Sequence, residues 1–199
     1  MSLFLLAGRK SIFTETGSQT MKIHLSDQKI NQIEADICAL LCFENAFKKE
    51  KFFQEANKQS KGLLEEWVKS ERFVGKKGQT LWLQIHNDST LRRILLIGAG
   101  PADTFRPSEL RTLANRSVKL GNQVYAETMF LLIPKQACDE PTLAARFAAE
   151  GASLGNYHFT KYFSGPTGKE RTLKQVSMKI DASPLSLLQK AIHHGEIVA

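Results

Sequence analysis

The 199 residues carry 27 Lys and Arg against 20 Asp and Glu, a formal charge of +7, and are 42% hydrophobic and 24% charged. This composition excludes a disordered, collagenous or coiled-coil chain, and a chain of this length buries roughly 70% of its unfolded surface without a metal or disulfide staple. Three cysteines cannot all pair, which favours a reducing compartment, and no apolar run approaches the ~18 residues of a membrane span. The basic excess permits an acidic partner without naming one.

Residues 1–20 read as a flexible polar leader, whose Leu3-Phe4-Leu5-Leu6-Ala7 is too short and lacks the basic flank of a secretion signal. Met1 and Met21 both stand open as the natural start. From Met21, apolar Ile23 and Leu25 alternate with Lys22 and His24, which predicts a strand. Ile37-Cys38-Ala39-Leu40-Leu41-Cys42-Phe43 is nearly continuous and short, as expected of a strand buried on both faces. Helical spacing then runs from Asn45 to about Arg72 through Phe47, Leu63, Leu64, Trp67 and Val68, with Gly62 dividing it. Gly75-Lys76-Lys77-Gly78 is a turn. Leu81, Leu83 and Ile85 predict a strand that pairs as a hairpin with Arg92-Arg93-Ile94-Leu95-Leu96-Ile97-Gly98.

Pro107 fits the first turn of a helix, with Leu110, Leu113, Ala114 and Val118 inward and Gly121 as its stop. Val124 to Ile133 reads as a strand. Asp139-Glu140-Pro141 opens a helix burying Leu143, Ala144, Phe147, Ala148 and Ala152, and Val176, Met178 and Ile180 mark a last strand. Pro184 begins a final helix through Leu185, Leu188, Ala191 and Ile192. It ends apolar and uncapped at Glu196-Ile197-Val198-Ala199, as in a chain cut from something longer or one that simply frays. Interleaved strands and helices with two fully buried strands predict an α/β fold, a mixed sheet flanked by helices.

Most candidate chemistry fails on spacing. Gly98-Ala99-Gly100 follows a buried strand, but the third small residue of a dinucleotide fingerprint is replaced by Asp103, with Pro101 intervening. Gly165-Pro166-Thr167-Gly168-Lys169 lacks the leading glycine of a phosphate loop, where Phe163 stands, and has Glu170 for the metal-binding hydroxyl. Cys38 and Cys42, four apart on a strand, lie roughly 13 Å apart at ~3.3 Å per residue, too far for one zinc, and Cys138 stands alone. His193 and His194 point to different sides of a helix, and His158 sits in an aromatic segment. Gly151-Ala152-Ser153-Leu154-Gly155 imitates a nucleophile elbow but falls inside a helix, where its small residues suit close packing instead. Lys48, Lys49, Lys51, Lys58 and Lys61 are interleaved with Glu44, Glu50, Glu55, Glu65 and Glu66, the pattern of a solvated face.

One stretch carries a resemblance. Ala149-Glu150-Gly151-Ala152-Ser153-Leu154-Gly155-Asn156-Tyr157-His158-Phe159-Thr160-Lys161-Tyr162 resembles the helix and glycine-tyrosine-aromatic run in the N-terminal domain of leucyl (cytosol) aminopeptidases. Phe73-Val74-Gly75-Lys76-Lys77-Gly78-Gln79-Thr80-Leu81, Ile94-Leu95-Leu96-Ile97-Gly98-Ala99-Gly100 and Glu109-Leu110-Arg111 resemble further pieces of that domain in the same order. The likeness runs from about Met21 to the end, with His158 and Phe163 standing where basic residues are common in the family.

The resemblance implies a macro-domain-like three-layer architecture. Residues 21–183 would form the domain, and 184–199 the start of a helix linking to an absent catalytic domain. The family's chemistry rests on two divalent metal ions, zinc or manganese, held by motifs such as Asn-Thr-Asp-Ala-Glu-Gly-Arg, which this sequence lacks. No residue here inherits a catalytic or metal-binding role and no cofactor is expected in this chain; any cofactor-binding residue stays unassigned. The expectation is a non-catalytic, cytoplasmic N-terminal domain of a metallo-exopeptidase that removes N-terminal amino acids. It would partner its own catalytic domain, help build a hexamer and shape access to the active site. Two alternatives stand beside it: a macro-like module binding ADP-ribose or a nucleotide, and a basic surface binding nucleic acid.

Overall fold

The computed structural model describes residues 21–85, 92–157, 173–180 and 185–198. Six strands form one sheet: β1 (Lys22–Leu25), β2 (Ile37–Phe43), β3 (Thr80–Gln84), β4 (Arg93–Gly100), β5 (Thr128–Ile133) and β6 (Gln175–Ile180), in the order β1-β6-β5-β2-β4-β3. Every pairing is parallel except β3 on β4, where Leu81 opposes Leu96 and Leu83 opposes Ile94. This is the mixed sheet and the hairpin expected from sequence. The leader, the hairpin tip at Asn87-Asp88-Ser89-Thr90, the Gly165–Lys169 loop, His158 and Pro184 lie outside the described residues.

The alternation of side chains sorts the core into two layers. On β2, Ile37, Ala39, Leu41 and Phe43 face one side, joined by Leu95 and Ile97 of β4. Helices α3 (Glu109–Gln123), α4 (Pro141–Asn156) and α5 (Leu185–Val198) cover that side, contributing residues such as Val118, Ala148 and Ile192. Cys38, Leu40 and Cys42 face the other side with Ile94 and Leu96, under α1 (Lys51–Gln59) and α2 (Leu63–Ser70). Buried from both directions, β2 and β4 have no use for polar residues, which explains their continuous apolar sequence.

The element boundaries correct several expectations. Phe47 sits in a separate 3-10 turn, Phe47–Lys49, where its ring meets Phe53 and Phe73 edge-on at 5.2 and 5.3 Å. Gly62 does divide the helical region: at φ 89 it reverses the chain, and Ser60 and Asn57 side chains accept the amides of Leu64 and Glu65 to cap α2. Pro107 precedes α3, whose cap is Ser108. Gly121 does not stop α3, which continues to Gln123; the missing Cβ there makes room for Met129 and Leu173, whose methyls would lie 2.8 and 2.9 Å away. The strand expected from Val124 begins only at Thr128, because Tyr125 at φ 55 makes residues 124–127 a turn. On α4, Ala144, Ala148 and Ala152 are buried as expected, while Leu143 and Phe147 are only partly so.

Candidate functional site

The carboxyl ends of parallel strands are the usual ligand position in α/β sheets, so the ends of β2 and β4 are the first place to look. The two glycine runs seen in sequence meet there. Gly75 accepts the amide of Gly100 at 3.0 Å, Gly78 donates to the Gly98 carbonyl at 3.3 Å, and Gly98 donates to the Gln79 carbonyl at 2.8 Å. A Cβ on Gly98 would lie 2.0 Å from the carbonyl oxygen of Lys76, and one on Gly75 would lie 2.9 Å from that of Phe43. The glycines thus serve the approach of chain to chain.

Three successive amides of this loop, Val74, Gly75 and Lys76, converge on the Gln79 side-chain oxygen at 3.1, 3.0 and 3.0 Å. Converging backbone N–H groups form the concavity that holds phosphate in other proteins; here a side-chain carbonyl of the same loop fills it. The Lys77 ammonium is hydrogen-bonded to Glu109, and that bond outweighs partial burial to hold the Glu109 carboxyl below its usual range. Beside the loop, Phe105 packs edge-on against Phe43 with ring centroids 5.0 Å apart. The dinucleotide reading of Gly98-Ala99-Gly100, already weakened by Asp103, finds its backbone donors and space taken.

The α3–α4 seam explains the segment that carried the family resemblance. Gly151 and Gly155 of α4 lie directly on the backbone of α3, where added Cβ atoms would sit 2.1 Å from the Arg111 carbonyl oxygen and 2.7 Å from that of Asn115. Ser153 is interior to the helix, so no strand-to-helix elbow exists at it. Across the seam, Arg111 Nε lies 2.8 Å from Glu150 Oε1 and Nη2 donates to Oε2 at 2.9 Å. The same guanidinium stands 4.9 Å over the Phe147 ring. Gly195 brings α5 equally close, 2.5 Å from a virtual Cβ to the Arg146 carbonyl oxygen.

Among the described residues no group of three or more His, Cys, Asp or Glu is placed to hold a metal ion. The described residues do not fit a two-metal centre. Cys38, Cys42 and Cys138 are buried. Burial pushes the Cys38 thiol up to about 12 and Cys42 further still, so both are protonated and unreactive at neutral pH. The native protein at pH 8 is expected to leave Cys38 and Cys42 unmodified by a thiol reagent such as dithionitrobenzoate, whereas chain unfolded in denaturant titrates all three. Rapid native labelling of Cys38 or Cys42 would contradict this. His193 and His194 are exposed on α5. Lys49, Lys51, Lys58 and Lys61 are exposed around α1, and Lys51 and Lys69 lie 3.9 and 3.7 Å from Glu55 and Glu65. No helix among the described residues is long and apolar enough to cross a membrane.

One polar cavity lies at the opposite, amino end of the parallel strands. Its volume is about 570 Å³, and Asp36, Gln84, Arg92, Arg93, Tyr125 and Glu127 line it. Burial works against the Asp36 charge, but the amides of Glu127 and Thr128, the Thr128 hydroxyl and Arg92 together hold its carboxyl below the usual range. Oδ2 accepts those three hydrogen bonds at 2.9, 3.0 and 3.2 Å, tying β2 to β5. Nothing in the sequence distinguished Asp36 or Arg92 and Arg93, because they come together only through strand order.

The three-layer arrangement with this strand order places the chain in the macro-domain class of folds. Over 87% of its length it is similar to the Trypanosoma brucei macrodomain in complex with ADP, at a TM-score of 0.62 and 11% identity, covering 69% of that chain. A mutant of tomato leucine aminopeptidase is more similar: TM-score 0.76 and 21% identity over 92% of this chain and 37% of that one. The family model described as "Cytosol aminopeptidase family, N-terminal domain" matches residues 39–166, and the chain belongs to that family. A probable cytosol aminopeptidase of Trichormus variabilis is 27% identical over 158 residues, 79% of this chain and 32% of the relative. The chain therefore spans about a third of the length of the curated relatives it matches.

Proposed function

We propose that this chain is the non-catalytic N-terminal domain of a metal-dependent aminopeptidase, working as a scaffold beside a separate catalytic domain. The observation that carries the reading is coverage: the match is to the N-terminal domain of the family, and to about a third of the relatives' length. The described residues support it, since the seam glycines and carboxyl-end glycines serve packing. In the parent, two divalent ions, zinc or manganese, would activate water and polarise the peptide carbonyl, held by residues outside this chain. The parent would remove N-terminal residues from peptides in the cytoplasm, and the domain would help order a hexamer and the approach to its active sites.

The expected result is that the purified chain hydrolyses no leucine anilide with or without added zinc or manganese. Metal-dependent turnover by the purified chain would refute the proposal. Reading the native message beyond Ala199 tests the parent directly, because the metal-binding motifs must follow there.

The likeness to a macrodomain solved with ADP keeps a second reading in view, a module for ADP-ribose or a nucleotide. The occupied amides around Gln79 and the filled approach at Gly98 argue against a phosphate at that loop. Calorimetric titration with ADP-ribose separates the readings, micromolar binding at the carboxyl ends favouring the module.

A further inference from the structure

The cavity at the amino ends of β2, β4 and β5 lies at the opposite end of the sheet from the glycine loop, and the scaffold reading gives it no role. At about 570 Å³ it falls in the range of small-molecule sites. Its charges are unevenly compensated. The Asp36 carboxyl is held below its usual range, and its Oδ2 is already committed to three donors on β5 and its approach. Glu127 pairs with Lys174 at 2.8 Å. Arg93 donates Nη1 to the Val124 carbonyl at 3.1 Å, capping the end of α3, and makes no other side-chain hydrogen bond among the described residues. Arg92 is exposed and faces Asp36 at longer range, but makes no side-chain hydrogen bond or ion pair among the described residues. Arg92 and Arg93 both line the cavity, and two guanidiniums with donors to spare among the described residues suit an oxyanion, a forked one matching phosphate geometry.

The second half of the site is a ring. Tyr125 lines the same cavity and is 68% exposed, among the most exposed of the large apolar or aromatic side chains of the described residues. It is held at φ 55 by the bonds from its amide to Asn122 and from the Ala126 amide to Gly121, both 3.1 Å. Glycine would be the relaxed choice at that backbone angle, so the turn carries a costly side chain. An exposed ring lining the same cavity as two guanidiniums suits a ligand with a planar heterocycle at one end and a phosphate at the other.

We propose that this amino-end cavity binds a phosphate monoester bearing an aromatic ring, of the nucleoside monophosphate class. Arg92 and Arg93 take the phosphate and Tyr125 stacks the ring. The reading stands apart from the scaffold role, so either can fail alone.

The test titrates the full chain with adenosine monophosphate, adenosine and inorganic phosphate, followed by calorimetry and by amide chemical shifts. Saturable binding of adenosine monophosphate below about 1 mM is expected, with adenosine and phosphate each at least about tenfold weaker. Shifts should centre on Arg92, Tyr125 and Glu127. Arg92→Gln should weaken binding at least about tenfold. Tyr125→Gly, which relaxes the backbone and so keeps the fold, should also weaken it about tenfold. Absence of saturable binding, shifts confined to Gly98–Arg106, affinity untouched by Arg92→Gln, or equal affinity for phosphate alone would each overturn the proposal.

Discussion

Replacing Gly151 by alanine is expected to destabilise the domain by about 3 kcal/mol, the upper end of ordinary overpacking costs. One added carbon would lie 2.1 Å from the Arg111 carbonyl oxygen and 2.7 Å from its C and Cα. These are backbone atoms inside α3, so no rotamer change relieves the clash. The helices must part, and parting them also stretches the Arg111–Glu150 pair and loosens Phe147 beneath the guanidinium. For a chain of this size the loss corresponds to about 6–12 °C in Tm. Gly62→Ala is the control. It has nothing within 4 Å of its virtual Cβ and only its φ of 89 to oppose a side chain, so it should cost about 1–2 kcal/mol. A Gly151→Ala protein within about 0.5 kcal/mol of the parent, by denaturant titration, would show that the seam is not as tight as described.

Gly98→Ala should do comparable damage by a different route, about 3 kcal/mol, because its new carbon meets the Lys76 carbonyl oxygen at 2.0 Å and Gly75 at 2.8 Å. Here the yielding part is the loop rather than a helix. Moving it breaks the bonds of Gly78 to Gly98 and Gly100 to Gly75, and removes the amides of Val74, Gly75 and Lys76 from Gln79. The expected signature is therefore local as well as global. Trypsin should gain a cut at Lys76 or Lys77 under native conditions, and amide exchange should accelerate over residues 74–79. A variant that loses stability while this loop stays protected would place the weakness elsewhere.

These two positions show how much was legible in the sequence. Both glycine runs and the small-residue helix stood out in the sequence, and the helical context of Ser153 was enough to set aside a nucleophile. What the sequence could not supply was the partner of each glycine. Gly98 and Gly75 are 23 positions apart and Gly151 and Arg111 are 40 apart, so only strand order and helix packing bring them together. The long apolar runs of β2 and β4 were readable because burial from both sides leaves no alternation to confuse. The ends were misjudged where backbone angle overrode side-chain pattern. Val124 continues the apolar character of β5, yet the left-handed Tyr125 delays the strand to Thr128. Gly121 looked like a stop because glycine ends helices, but its task is to admit Met129 and Leu173. The amino-end cavity was invisible for a plainer reason: Asp36, Gln84, Arg92 and Tyr125 come from four separate segments and form no local motif.

The single antiparallel pair also bears on how the chain reaches this state. The β3–β4 hairpin closes over a short connection, whereas β2 must wait for crossovers from both β4 and β5 before its two edges are covered. Until then Ile37–Phe43 is an uncharged, proline-free, seven-residue segment of the sort that stacks between molecules. Newly made or partly opened chains therefore meet their greatest hazard in the middle of the sheet, and self-association through β2 competes with folding whenever the closing of the parallel strands is slowed.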